Sequence, residues 1–173
     1  MSKPIALLLM IVALVIPPVA SAIEPAELAL LGHRNIIVVA DSAYPLQSHP
    51  AIETRHIGGA QIERVIEVLG KIQAAPHVNP IVMIDAELEH VSDEAAPGIT
   101  AYRAALEKAL EDADVKKLPH IDIIRRLDET AELFKVIILK TDAVLPYTSV
   151  FFELDCGYWD GDREKALREA MEE

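Results

Sequence analysis

The chain has 173 residues, 51% of them hydrophobic, with 16 Lys and Arg set against 28 Asp and Glu, a formal charge of -12. That acidity repels phosphate backbones and anionic lipid, which argues against nucleic-acid binding and peripheral membrane attachment. One cysteine, Cys156, leaves no internal disulfide, and six scattered histidines show neither HxH nor HExxH spacing, so no metal or other cofactor is expected.

Residues 1–22 read as a targeting segment. Lys3 is their only charged residue; residues 5–16 are unbroken apolar, Pro17 and Pro18 follow, and small residues stand at Ala20 and Ala22. This is the pattern of a secretory signal peptide, with an apolar core too short to span a bilayer comfortably. Cleavage after Ala22 is expected, giving a secreted or periplasmic protein with no stable membrane insertion. The alternative is an uncleaved N-terminal anchor. Residues 23–156 then form one domain, and 157–173 extend it.

Along the domain, apolar runs alternate with helical patterns. Residues 24–32 predict a short helix, with Pro25 in its first turn and Gly32 as its stop. "IIVVA" (36–40) is β-branched and continuously apolar, as a strand covered on both faces would be. Ile62, Val65, Ile66, Leu69 and Ile72 recur at helical spacing, and "IVMIDA" (81–86) predicts a second buried strand. A helix carrying Tyr102, Ala105, Leu106, Ala109 and Leu110 leads to "IDII" (121–124), read as a strand. "DETAELFK" predicts a short helix, and "VIILK" (136–140) and "SVFFELD" (149–155) the last strands. This alternation predicts an α/β domain, a three-layer α/β/α sandwich with a largely parallel central sheet.

Polar residues fall at the strand ends, where ligands bind in such sheets. His33 precedes the first strand, Asp41 follows it, Arg125 ends "IDII", and "PYTS" opens the last strand. Converging on one pocket, an imidazole, a carboxylate, a guanidinium and a phenol would suit an uncharged polyhydroxylated ligand, because each hydroxyl both donates and accepts. Singly, each also has an ordinary structural use, as a helix-end histidine, a turn former or a solvated strand-end arginine.

The residues Leu31, Gly32, His33, Ile37, Val38, Val39, Asp41 and Pro45 together resemble the opening signature of the RbsD/FucU family of ribose pyranases and fucose mutarotases. Arg55 and Gly58 are similar to the fucose branch. "IDIIR", a short helix, an apolar strand, Thr141 and "PYTS" resemble the family's C-terminal half, so the likeness spans residues 24–156. It implies an RbsD-like fold and an isomerase that interconverts anomers or ring forms of a monosaccharide. It implies His33 as general acid and Asp41 as a substrate-binding carboxylate. The second-half binding position, histidine in ribose pyranases and arginine in fucose mutarotases, falls on Arg125. The Tyr-x-Asn binding triplet falls on Tyr147, Thr148 and Ser149, where serine departs from the family's asparagine. A homo-oligomer, such as a decamer, is implied as well.

Interconverting ring forms requires the ring oxygen to gain a proton while the anomeric hydroxyl loses one. An imidazole, unperturbed at about 6.5, can serve both transfers without metal or nucleotide. His33 and Tyr147 are therefore the expected catalytic pair, with Asp41, Arg125, Thr148 and Ser149 holding the sugar. A non-catalytic exported sugar-binding module is the alternative. The extension carries Tyr158, Trp159 and a helix over 163–173 whose only apolar stripe is Ala166, Leu167, Ala170 and Met171. A helix this short is marginal in water alone, so docking on a neighbouring subunit is expected.

Overall fold

The computed structural model describes residues 21–172; the expected signal peptide lies outside them except for Ser21 and Ala22. The chain is already built into the fold at that point. Ala22 and Ile23 are buried, the Ala22 N–H donates to Glu67 at 2.8 Å, and Lys71 donates to the Ile23 carbonyl at 2.7 Å. Lys71, the Ala22 N–H and Arg64 together outweigh burial and bring the Glu67 carboxyl down to about 2.

Among the described residues six strands form one sheet: β1 (Ile36–Ala40), β2 (Ile52–His56), β3 (Val78–Asp85), β4 (Val115–Leu118), β5 (Val136–Lys140) and β6 (Val150–Cys156), in the order β2-β5-β1-β6-β3-β4. The pairs β1/β5, β2/β5 and β3/β4 are parallel, whereas β6 runs antiparallel between β1 and β3. Val38 lies opposite Ile138 on one side and Phe151 on the other. Every residue of β1 is buried, as its unbroken β-branched run requires.

The helices are α1 (Pro25–Leu28), α2 (Gln61–Ala74), α3 (Ile99–Ala109), α4 (His120–Ala131) and α5 (Gly161–Met171), with a 3-10 turn over Ala86–His90. Alternation along the strands divides the core in two. Ile37, Val39, Phe152 and Leu154 face Leu28, Val65, Ile72 and Leu106, from the first three helices. Ile36, Val38 and Phe151 face Ile123, Leu127 and Ala131 of α4. The result is the expected α/β/α layering. Among the described residues no helix is long and apolar enough to cross a membrane.

Residues 121–124, expected as a strand, are helical instead. Ile123, Leu127 and Ala131 recur every fourth residue and are buried, while Ile121 faces solvent, so the stripe belongs to a helix. Pro119 at the cap offers no side-chain acceptor; the carboxylate of Glu87 accepts the His120 N–H at 2.9 and 3.0 Å and fixes the start of α4. Strands β2 and β4 were not expected at all. Both are sheet edges with polar sequences: only Ile52 is buried in β2, and Lys116 and Lys117 are exposed in β4. The first helix is shorter than the expected 24–32, and α5 buries none of its residues in the single chain.

Candidate functional site

Because β1, β2, β3 and β5 end on the same side and β6 begins there, one edge of the sheet gathers polar residues from every strand. Read across the sheet, these are His56, Asp142, Asp41, Ser149, Asp85 and His120. At the far side of this edge, His56 and the Gly59 N–H bind the Asp142 carboxyl, which lies below its usual range, chiefly because of the Gly59 bond.

At its centre, both oxygens of Asp41 are engaged. The Ala43 N–H donates to Oδ1 at 2.9 Å and the buried Ser149 hydroxyl donates to Oδ2 at 3.1 Å. Tyr147 has φ of 56°, a left-handed conformation uncommon for a bulky residue. Its neighbour holds it there. The Thr148 hydroxyl donates to the Leu145 carbonyl at 2.8 Å, and the Thr148 carbonyl accepts from the Tyr102 hydroxyl at 2.8 Å and from the Gln61 amide. Gln61 in turn meets the buried Thr141 hydroxyl at 2.9 Å, so the loop after β5, the loop before β6 and helices α2 and α3 share one network. Backbone strain maintained by such a network is characteristic of functional sites.

Beside Tyr147 lies an acid–imidazole pair. Asp85, at the end of β3, is 1% exposed, and its Oδ1 lies 3.0 Å from Nδ1 of His120. Burial pushes the Asp85 carboxyl above its usual value, partly offset by His120. An ionised Asp85 can only accept, so it holds the proton on Nδ1 and leaves Nε2 of His120 available. The His120 and Tyr147 rings meet edge to face, centroids 5.7 Å apart at 81°, and both side chains keep substantial exposure. Beneath them, Tyr44 is buried near Asp128, Asp85 and Asp41; burial first and these charges second raise its phenol.

The structure thus brings together Asp41, Tyr147, Thr148 and Ser149 of the sequence-derived set. The Thr148 side chain is turned into the fold. His33 is on the opposite edge, its Nε2 3.4 Å from Oδ1 of Asp155 at the far end of β6. The five residues of β1 between His33 and Asp41 span roughly 15 Å, more than one monosaccharide ring bridges. The expected convergence on one pocket does not occur within a single chain. Arg125 stands on the exposed side of α4, its guanidinium donating to Asp122 at 2.9 Å. Arg55, on β2, is held by Glu27 and Glu53.

Four residues of this edge, His56, Asp142, Asp85 and His120, were missed, and the last two form the acid–imidazole pair. Asp85 ends an apolar run as Asp41 does, so the same signal finds it. His120 becomes legible only once 121–124 is known to be helical. Among the described residues no group of three or more His, Cys, Asp or Glu is placed to hold a metal ion.

Comparison with known proteins places the chain. FucU from Bifidobacterium longum is 16% identical with a TM-score of 0.51, the match covering 79% of this chain and 97% of that one. Bacillus subtilis RbsD, solved with D-ribose, is 20% identical with a TM-score of 0.48 over 74% of this chain and 87% of that one. A Streptococcus pneumoniae fucose mutarotase, solved with L-fucose, is 18% identical with a TM-score of 0.48 over 81% and 98%. No curated protein matches. The profile of the RbsD / FucU transport protein family matches residues 22–156, and the chain belongs to that family.

Proposed function

We propose that the protein is a monosaccharide mutarotase or pyranase whose site is completed between two copies of the chain. Family membership supports the reaction class. The observation that carries the two-copy site is the placement of His33 and Asp41 at opposite ends of β1, His33 paired with Asp155 and Asp41 with Ser149. A neighbouring copy brings its His33 edge against the Asp41 edge, which makes a homo-oligomer part of the mechanism.

In this arrangement Asp41, its carboxylate oriented by Ser149, accepts from sugar hydroxyls and fixes the ring. His33 of the neighbour protonates the ring oxygen as the bond from that oxygen to the anomeric carbon breaks. His120, held by Asp85, takes the proton of the anomeric hydroxyl, with Tyr147 hydrogen-bonded to the anomeric oxygen. The product is the open-chain aldehyde, which turns and recloses with the proton transfers reversed. No covalent intermediate forms. The resemblance gave Arg125 of α4 a sugar-holding role; in this scheme the residue of α4 that meets the sugar is His120, and it acts as a base.

A non-catalytic sugar-binding module is the second reading, favoured by Ser149, whose hydroxyl is already occupied by Asp41. Saturation-transfer NMR of anomer exchange with L-fucose and D-ribose separates the two. Exchange above the uncatalysed rate is expected; binding of these sugars at the uncatalysed rate would leave the module. Export completes the proposal: removal of residues 1–22 leaves the domain outside the cytoplasm, and an intact mass beginning at Ile23 checks it.

A further inference from the structure

The residues around His33 include some that the family match does not reach. His33 is more than half exposed and opens onto a cleft of about 550 Å³ shared with Asp155, Cys156, Tyr158, Trp159 and Glu164. The match ends at Cys156, so the aromatic side of this cleft, Tyr158 and Trp159, is an addition to the matched segment.

That addition has a defined conformation. At Gly157 a Cβ would come within 2.7 Å of the Pro76 carbonyl oxygen and 2.8 Å of the Val78 nitrogen, so only glycine lets the chain leave the sheet here. Asp160 caps α5 by accepting the Arg163 N–H at 2.8 Å, and Arg163 reaches back to the Tyr158 carbonyl at 2.9 Å. Trp159 donates its indole N–H to Glu164 at 2.9 Å, and Arg168 holds the other oxygen of Glu164 at 2.7 Å. The polar edge of the indole is satisfied inside the extension, yet Trp159 stays 41% exposed beside an imidazole.

We propose that the C-terminal extension forms a wall of the sugar site on the His33 side, with Trp159 as a stacking platform for the apolar C–H face of a pyranose. The proposal rests on the reading of this protein as a sugar mutarotase. Its chemistry complements the opposite edge. Asp41, Ser149, Tyr147 and His120 address hydroxyls, whereas an indole face, electron-rich at its centre, attracts the weakly positive C–H groups on one side of a sugar ring. A ring held between the two is oriented by both its polar rim and its apolar face, so the extension discriminates among sugars by where their C–H groups lie.

Trp159 is the only tryptophan in the chain and therefore reports on this cleft directly. The test is tryptophan emission and its quenching by iodide, titrated with L-fucose and with D-ribose on the full protein, alongside anomer exchange on the same samples. The expected result is a saturable change in emission and reduced iodide quenching, at the sugar concentration that half-saturates exchange. Trp159→Ala should raise that concentration about tenfold, and Trp159→Phe less, with assembly mass and thermal midpoint unchanged. Exchange that saturates while emission and quenching stay still would overturn the platform and leave the mutarotase reading intact. Sugar affinity lost in Trp159→Ala only together with assembly mass would overturn it too, making the extension an assembly element. Saturable emission without exchange would support the platform while removing the catalytic reading. No response to either sugar, in emission or exchange, would remove both.

Discussion

Asp85 and His120, 35 residues apart in sequence, meet at 3.0 Å on the C-terminal edge of the sheet, with the carboxylate buried and the imidazole open to solvent. A buried carboxylate raised by desolvation is a cost to the fold. Its contribution has the opposite sign to that of an exposed, ion-paired acid: stability is lost as pH rises through the raised folded value, because only the unfolded state ionises freely below it.

Asp85→Asn should therefore separate stability from activity. The thermal midpoint near neutral pH is expected to equal or exceed that of the wild type, with the stability lost as pH rises above the ordinary carboxylate value diminished. Anomer exchange should fall about 10- to 100-fold, because a neutral amide, which donates as well as accepts, no longer fixes the proton on Nδ1 of His120. Thermal melts across pH, read beside exchange rates, check both. A variant that is destabilised and fully active would show Asp85 to be a structural residue.

His120→Ala and Arg125→Ala decide which residue of α4 serves the sugar. The first should lose at least about tenfold in exchange. The second removes only an exposed pair with Asp122, worth roughly 0–1 kcal/mol, and should leave exchange and stability near wild type. The reverse outcome would restore the arginine assignment.

How far the sequence discloses this site depends on which side chains carry the signal. Strands β1, β5 and β6 are buried on both faces and are legible as apolar runs. At the edges, β2 and β4 present Glu, Arg and Lys to solvent and give no such run, though the sheet pairs them all the same. Residues 121–124 carry three isoleucines in four positions, a composition that suits a strand; the buried Leu127 and Ala131, one and two turns after Ile123, make it a helix. That error hid His120 and moved Arg125 to a strand end it does not occupy. Asp41, Tyr147 and Ser149 were found because they flank strands whose ends were correctly placed. The separation of His33 from Asp41 was implicit in the length of the run between them, but which side of the sheet each neighbouring strand ends on required the strand order.

Ser149→Ala leaves one oxygen of Asp41 without its donor. The expected effect is a rise in the half-saturating sugar concentration of about tenfold, at little cost to folding. Ser149→Asn, which restores the family residue, should tighten sugar binding or raise the rate if the substrate is the family's usual sugar. Titration with L-fucose and D-ribose reads both variants, and weaker binding of both sugars by the asparagine variant would indicate a pocket shaped for another.

Tyr147→Phe keeps the ring against His120 and removes only the hydroxyl. Exchange at saturating sugar should fall about tenfold or more while the half-saturating concentration changes little, the split expected of a group used in the transition state. An unchanged maximal rate would confine Tyr147 to packing.

The central claim, that one sugar is opened between the His33 edge of one copy and the Asp41 edge of another, is tested most directly by mixing two inactive variants. His33→Ala and Asp41→Ala should each abolish exchange while folding normally. Co-refolded in equal amounts, they should recover about a quarter of the wild-type rate, because a random assembly pairs an intact His33 edge with an intact Asp41 edge that often. Mixed assemblies, verified by mass, that remain inactive would contradict the account.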